Sequence, residues 1–259
     1  MIRLRGVRKA FPLPGGGANV ALDGIDLDIE DGEFVVVIGT NGSGKSTLLG
    51  TLAGSVRPDT GTLEMEGLDV TQESEPTRAR QVARVFQNPL LGTCPTLTVA
   101  ENLRIAETRG LRRGLRKALD RGALERYGAA LRECGLGLEN RINALTGDLS
   151  GGQRQALTLV MASLRTPKML LLDEHTAALD PEAAEATMRL TAKIVNGGIT
   201  TLMVTHSMAQ AIAYGDRLLI IHKGRLVEEI RERDSMRSED LTARFAALYR
   251  IKPSIPGQD

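Results

Sequence analysis

Residues 34–49 read FVVVIGTNGSGKSTLL and are the most informative stretch of the chain. Phe34–Ile38 is an apolar run rich in β-branched residues, which is typical of a strand buried on both faces. From Thr47 onward the residues favour a helix, and the turn in between carries three glycines. We therefore predict a buried strand, a glycine-rich loop and a helix, in this order.

The glycine-rich loop has the residues that a phosphate-binding P-loop needs. Its glycines allow backbone N–H groups to form a concave nest, Lys45 brings a cation to the β- and γ-phosphates, and the Ser46 hydroxyl can ligate Mg²⁺. The N-terminus of the following helix adds partial positive charge. A glycine-rich turn without chemical function is the alternative, but the order of strand, loop and helix favours a nucleoside triphosphate site. The residues predicted to contact nucleotide here are Gly39, Thr40, Asn41, Gly42, Ser43, Gly44, Lys45, Ser46 and Thr47.

Three further apolar runs are predicted to be short strands, and each ends in polar residues. In an open α/β sheet, ligands gather outside the carboxyl ends of the parallel strands, so these polar side chains should meet the P-loop at one edge. Two adjacent carboxylates are unfavourable there without a cation, which favours a site that contains Mg²⁺. The runs and their polar ends are Val82–Phe86 with Gln87, Met169–Leu172 with Asp173 and Glu174, and Thr200–Val204 with His206.

A second helix opens with residues 149–153, LSGGQ. Ser150 is its natural N-cap, and the two glycines leave backbone N–H groups exposed, so this helix start could bind a second anion. A helix that is merely capped remains the alternative. The preceding segment, Leu90–Leu149, is predicted to be helical and irregular, with Thr98 and Glu101 forming a capping box. Its basic residues favour a solvated face over a docking surface; they are Arg109, Arg112, Arg113, Arg116, Lys117, Arg121 and Arg126.

The two ends of the chain are predicted to add antiparallel strands. Met1–Leu4 and Ala21–Ile29 alternate apolar and polar residues around a loop at Pro12–Gly17, which indicates a side sheet with one solvated face. Phe11 leads into that loop and could either stack on a nucleotide base or pack in the core. Arg217–Ile221 and Arg225–Ile230 are predicted to form a hairpin, followed by a helix at Asp240–Tyr249 and a frayed tail at Lys252–Asp259.

The bulk composition limits the classes of function. A chain of 259 residues is at the upper limit of one domain, and its formal charge of +1 gives no basic excess for nucleic acid. No stretch resembles a signal peptide or a membrane span, so we expect a cytosolic protein. Cys94 and Cys134 lack the spacing of a metal site.

Taken in order, the P-loop, Gln87, LSGGQ, LLLDE and His206 resemble the ATP-binding subunits of ABC transporters over nearly the whole chain. The resemblance implies an α/β fold: a P-loop NTPase core with a mainly parallel sheet flanked by helices, an antiparallel β side sheet and a helical subdomain that carries LSGGQ. It implies one ABC ATPase domain, in which residues 1–88 and 167–230 form the core with the side sheet, 89–166 the helical subdomain, and 231–259 a C-terminal helix and tail.

The resemblance also implies roles and cofactors, namely ATP and Mg²⁺. Glu174 would polarise the attacking water, His206 would contact the γ-phosphate and Lys45 would hold the phosphates. Ser46, Gln87 and Asp173 would form the Mg²⁺ shell, and Phe11 would lie under adenine. In a head-to-tail homodimer, the ATP of one subunit would be closed by the partner's signature loop, and Asp180 would signal across the interface. The signature residues are Ser150, Gly151, Gly152 and Gln153.

Most relatives have Pro after the Asp-Glu pair, whereas this chain reads DEHTAALDP, with His175 at that position. This variant resembles a bacterial uptake subfamily that works with permease subunits and a substrate-binding protein at the cytoplasmic face of the membrane, often presumed to take up amino acids. We interpret His175 as a loop residue that packs near the site. The alternatives are a P-loop kinase and an ABC-type ATPase of DNA repair or chromosome maintenance. The latter usually carries long coiled-coil arms, and residues 87–149 show no sustained heptads.

Overall fold

The computed structural model describes residues 1–111, 119–231 and 237–250. The strands are β1 Ile2–Pro12, β2 Ala18–Ile29, β3 Phe34–Ile38, β4 Thr60–Met65, β5 Leu68–Asp69, β6 Val82–Val85, β7 Met169–Asp173, β8 Thr200–Val204, β9 Arg217–His222 and β10 Arg225–Ile230. The helices are α1 Lys45–Ala53, α2 Glu75–Arg78, α3 Val99–Glu107, α4 Arg121–Arg132, α5 Gly151–Ser163, α6 Pro181–Val195, α7 Met208–Tyr214 and α8 Ser238–Arg250.

A six-stranded sheet in the order β10-β9-β3-β8-β7-β6 forms the centre of the molecule. All neighbouring pairs are parallel except the β9–β10 hairpin, so five strands have their carboxyl ends at the same edge. Strand β3 is buried along its whole length and separates two hydrophobic cores. Val36 and Ile38 join the core formed with helices α3 to α8, whereas Val35 and Val37 join the core formed with α1 and the side sheet.

The side sheet is antiparallel, in the order β2-β1-β4-β5. Strand β1 runs on to Pro12, so the prediction that it ends at Leu4 was too short. The reason is a bulge: Gly6 has a φ of +56°, the pairing register shifts between Leu4 and Val7, and the alternation of apolar residues breaks there while the strand continues. Together the two sheets and their helices confirm the predicted α/β class.

Residues 89–166 contain α3, α4, α5 and three short 3₁₀ turns at Pro89–Leu91, Leu138–Arg141 and Thr146–Asp148. The predicted capping box is confirmed, because the Glu101 N–H donates to Thr98 Oγ1 at 3.2 Å and the Thr98 N–H donates to Glu101 Oε2 at 2.8 Å. Four of the basic residues, Arg112, Arg113, Arg116 and Lys117, lie outside the described residues. The division into core, helical subdomain and tail stays a prediction.

The C-terminal hairpin is confirmed, and α8 begins two residues before its predicted start at Asp240. The predicted frayed tail, Lys252–Asp259, lies outside the described residues. Among the helices of the described ranges, none combines the length and the apolar character that crossing a bilayer would need.

Candidate active site

The carboxyl ends of β3, β6, β7 and β8 form one edge of the central sheet, because each neighbouring pair among β3, β8, β7 and β6 is parallel. Asp173 is the last residue of β7, and Gly39 and Glu174 directly follow β3 and β7. His206 and the exposed Gln87 lie two residues beyond β8 and β6. The structure therefore brings the sequence-predicted residues to one edge of the sheet, as expected for an open α/β fold.

The P-loop approaches the backbone of two other elements so closely that its glycines are required. A Cβ at Gly39 would lie 2.5 Å from the Ile221 carbonyl oxygen on β9 and 2.6 Å from Ser43 Oγ. Gly44 has a φ of +108°, and a Cβ there would collide with the Ala21 carbonyl oxygen on β2. The resulting turn is narrow and lined by backbone.

The interior of the P-loop turn has the features of a phosphate cradle. Gly44 caps α1 without a side-chain hydrogen bond, so the first amides of this nine-residue helix are not claimed by a cap. Ser43 Oγ is buried and has no hydrogen-bond partner within the described part of the chain. Lys45 Nζ folds over the loop and donates to the carbonyl oxygens of Gly39 at 2.8 Å and Thr40 at 2.9 Å.

Burial lowers the pKa of Lys45, and the negative charges of Glu174 and Asp173 act in the opposite direction. Lys45 therefore interacts electrostatically with both carboxylates, although they lie more than a hundred residues away in sequence. Phosphate oxygens at this position would offer the ammonium group stronger partners than the two carbonyl groups that it contacts.

The two carboxylates have separate partners. Glu174 Oε1 lies 2.7 Å from His206 Nε2, and Asp173 Oδ2 lies 2.6 Å from Arg84 Nη2 on the neighbouring strand β6. From the sequence, Asp173 and Glu174 were explained by a bound metal alone, and Arg84 was not recognised as the counter-ion of Asp173. The signal that could have found it is an arginine in the middle of an apolar strand, where a charged side chain needs a counter-ion.

The residues at this edge are suited to hold Mg²⁺ together with the phosphates of a bound nucleotide. Across residues 1–111, 119–231 and 237–250, no three His, Cys, Asp or Glu side chains cluster closely enough to hold a metal by themselves. Magnesium is usually bound by one or two carboxylates together with substrate phosphates and water, so Asp173 with the exposed Ser46 hydroxyl and Gln87 amide is a suitable donor set.

The LSGGQ segment begins α5 with the predicted N-cap, because Ser150 Oγ accepts the Gln153 N–H at 3.2 Å. Ser150 and Gly151 are exposed, and a Cβ at Gly152 would lie 2.9 Å from the Ala183 Cβ on α6. The Gln153 side chain turns back into its own chain. It accepts from the Ser150 N–H and from Arg141 Nη1, each at 3.3 Å, and donates to the Leu136 carbonyl oxygen at 3.2 Å.

Three further predicted residues have defined places. Asp180 is exposed and caps α6, since its Oδ1 accepts the Ala183 N–H at 2.9 Å. Phe11 is 39% exposed near the end of β1, so a core role is excluded, and Lys9 Nζ lies 5.5 Å from its ring centroid. His175 is buried in the turn after β7, as predicted, and burial lowers its pKa to about 4, which makes the imidazole neutral.

Comparison with known proteins identifies the family. A family model described as ABC transporter matches residues 22–177. The tyrosine transport ATP-binding protein of Clostridioides difficile is 43% identical over 248 residues, which cover 95% of this chain and 98% of that protein. The chain belongs to the ATP-binding subunits of ABC transporters.

Other members of this family agree with the assignment. The glutamate transport ATP-binding protein of Corynebacterium glutamicum is 34% identical and covers 88% of this subunit and 90% of its own length. Among solved structures, a dimeric ATP-binding cassette in a post-hydrolysis state with ADP and phosphate superimposes with a TM-score of 0.78 at 28% identity, over 89% of this subunit and 98% of that chain. The predicted ATP binding and ATP hydrolysis are confirmed, and a P-loop kinase is excluded.

Proposed function

We propose that this subunit powers a bacterial importer of small solutes such as amino acids, and that it works on the cytoplasmic face of the cell membrane. The observation that carries the proposal is one sheet edge that unites the P-loop with the Glu174–His206 pair, in a chain that also presents an exposed LSGGQ helix start. Two relatives named for tyrosine and glutamate transport support amino acids as the solute class.

In this proposal the P-loop amides and Lys45 hold the β- and γ-phosphates of ATP, and Phe11 stacks on adenine. Glu174 accepts a proton from the attacking water, and His206 orients that carboxylate from 2.7 Å and reaches the γ-phosphate. Ser46, Gln87 and Asp173 would hold Mg²⁺, which neutralises phosphate charge when bound. No covalent intermediate is needed, because placing water in line with the phosphorus atom supplies most of the effect.

We infer that two copies bind ATP between them, since each chain carries a second anion-binding feature apart from its P-loop. The Ser150 hydroxyl and the backbone N–H groups of Gly151 and Gly152 lie at the start of α5, where they suit the phosphates bound by a partner. Gln153 supports this loop by fixing Ser150, and Asp180 lies at the start of α6, which packs against Gly152 through Ala183. The dimeric cassette with a TM-score of 0.78 supports this arrangement.

The permease would dock in a groove between α2 and β6 on one side and α3 and α5 on the other. The groove has a volume of about 470 Å³. Its apolar lining is unusually exposed for this chain, with Leu91 70%, Ile105 46% and Leu111 54% accessible. Such a surface fits a short amphipathic helix better than a nucleic acid backbone, and the net charge of +1 agrees. A substrate-binding protein outside the membrane would deliver the solute.

A cysteine-crosslinking scan tests this function. Cys94 and Cys134 are first replaced by Ser, and single cysteines are then placed from Leu90 to Leu103 while the neighbouring permease gene is co-expressed. We expect crosslinks to the permease that change with ATP, and none from a control cysteine at Arg225, which lies on the opposite, C-terminal hairpin. Absence of membrane recovery, together with ATPase activity stimulated by DNA, would overturn the importer in favour of a repair-type ATPase.

A further inference from the structure

His175 follows Glu174 directly in sequence, but its side chain is directed into the protein and is only 2% exposed. Its Nε2 atom lies 3.0 Å from Oγ1 of Thr191, in the third turn of α6. The Thr191 hydroxyl donates its single proton to the Thr187 carbonyl oxygen at 2.9 Å. With that proton donated to Thr187, the Thr191 oxygen accepts a hydrogen bond from His175 in its Nε2–H tautomer.

The backbone at Glu174 is unusual and needs support. Glu174 has a φ of +45°, a left-handed conformation that few residues other than glycine adopt. Such a conformation costs free energy and persists only where the surrounding structure over-determines it. Its peptide N–H donates to the Val204 carbonyl oxygen at 3.0 Å, and its carbonyl oxygen accepts from the Ala177 N–H at 2.9 Å. Both bonds fix the main chain beside the sheet.

Unlike these two backbone hydrogen bonds, the hydrogen bond from His175 connects this turn to helix α6. Helix α6 spans Pro181–Val195, and Thr191 is 0% exposed within it. A buried imidazole that gives up water for a single hydroxyl partner gains little stability, because the net contribution of such a bond is on the order of 1 kcal/mol. An apolar side chain would fill the same space without desolvating a polar ring.

We propose that His175 is a positioning residue for ATP hydrolysis. Its hydrogen bond to Thr191 ties the peptide after Glu174 to α6 and thereby holds the Glu174 carboxylate at the angle from which it polarises water. This inference rests on the proposed role of Glu174 as the catalytic base. The same hydrogen bond connects α6, which begins directly after Asp180, to the turn that carries Glu174.

The test removes the bond from either side. His175→Leu and Thr191→Val should each lower kcat by roughly 10- to 100-fold, because a carboxylate misplaced by about 1 Å loses this much. The dissociation constant for ATP, measured with a fluorescent analogue, should stay within about twofold, since no phosphate contact is touched. The double variant should be little worse than either single one, because both remove the same bond.

Conservative variants separate positioning from mere folding. Thr191→Ser keeps the hydroxyl and His175→Gln keeps a donor, so both should recover most of the lost kcat. Thr201→Val is the matched control: Thr201 is equally buried, and its hydroxyl is bonded only to the Ile199 carbonyl oxygen, at the other end of β8. It should lower the melting temperature without changing kcat. If His175→Leu does not fold, the Thr191→Val and Thr191→Ser pair carries the test.

Two outcomes would overturn the inference. One is a lower melting temperature with unchanged kcat in both His175→Leu and Thr191→Val, which would make the bond purely structural. The other is an equal loss of kcat in Thr191→Ser and Thr191→Val. Failure of the proposed function itself would look different, because Glu174→Gln would then still hydrolyse ATP.

Discussion

Arg84 Nη2 lies 2.6 Å from Asp173 Oδ2, and both side chains are less than a fifth exposed. The guanidinium also stacks over the Phe86 ring, with 4.7 Å between Arg84 Cζ and the ring centroid. Arg84 thus places a positive charge beside the carboxylate that we propose as an Mg²⁺ ligand. Because Arg84 also lines the proposed permease groove, one side chain reaches from that groove to the carboxylate of Asp173.

Arg84→Met should leave Asp173 as a poorly solvated charge without its counter-ion, and lower the stability of the protein by roughly 1–3 kcal/mol. Mg²⁺ with ATP should restore part of this loss, since the metal supplies the missing positive charge. We therefore expect a larger rise in melting temperature on addition of Mg-ATP for Arg84→Met than for the native protein. Arg121→Met is the control, because Arg121 forms an exposed pair with Glu125. Equal rises in all three proteins would contradict the prediction.

Local sequence signals predicted the central strands and the helix N-caps Thr98 and Ser150 correctly. Phe34–Ile38 and Thr200–Val204 were predicted to the residue, because a strand covered on both faces reads as a run of apolar and β-branched residues. The Arg84–Asp173 pair could not be predicted in this way, since it joins residues 89 positions apart. Pairing of that kind depends on which strands become neighbours, and strand order is a property of the whole sheet.

The candidate site shows the same division between local and distant information. The P-loop was readable because the strand, the glycines and the lysine are contiguous. The hydrogen bonds of Gln153 to Arg141 and Leu136 could not be predicted, since these partners precede the LSGGQ segment by 8 residues or more. His175 was placed near the site correctly, but its partner Thr191 is reached only once α6 has packed against the sheet.

Lys45→Ala should abolish ATP binding or turnover. Lys45 Nζ is the cation within the P-loop and is held in place by the Gly39 and Thr40 carbonyl oxygens, so its loss leaves the phosphate charge uncompensated there. ATP binding by calorimetry and phosphate release by the purified variant measure the effect. Unchanged turnover in a folded Lys45→Ala protein would contradict the P-loop assignment.

Glu174→Gln should keep ATP bound but stop its hydrolysis, since glutamine is nearly isosteric and cannot accept the proton from water. The trapped ATP should then accumulate a dimer, which size-exclusion chromatography with Mg-ATP detects. Adding Ser150→Arg to the same protein places bulk at the start of α5 and should prevent that dimer. A protein that loses hydrolysis and remains a monomer with bound ATP would contradict the head-to-tail site.

Glu107, at the end of α3, contacts Arg104 of its own helix and joins α3 to α4 through two further contacts, with Tyr127 and Arg126. Its carboxylate accepts from the buried Tyr127 hydroxyl and from Arg104 Nη1, each at 2.6 Å, and from Arg126 Nη2 at 2.9 Å. Burial opposes ionisation here, but the hydrogen bonds outweigh it and lower the pKa of Glu107 to about 2 from a value of 4.5 in the unfolded chain. Burial is the main cause that raises the pKa of Tyr127 to about 12, and the hydrogen bond to the Glu107 carboxylate adds to it.

This depressed pKa predicts the sign of a pH effect. The unfolded chain binds a proton at Glu107 before the folded chain does, so the stabilisation is complete above pH 4.5 and is lost as the pH falls towards 2. Its full size is on the order of 3 kcal/mol. Glu107→Gln should therefore be less stable than the native protein in urea at neutral pH, and the difference should shrink as the pH falls from about 4.5 to about 2. Glu125→Gln, which changes an exposed carboxylate on α4, should show no such convergence. A difference for Glu107→Gln that stays constant with pH would mean that the carboxylate charge does not join the two helices.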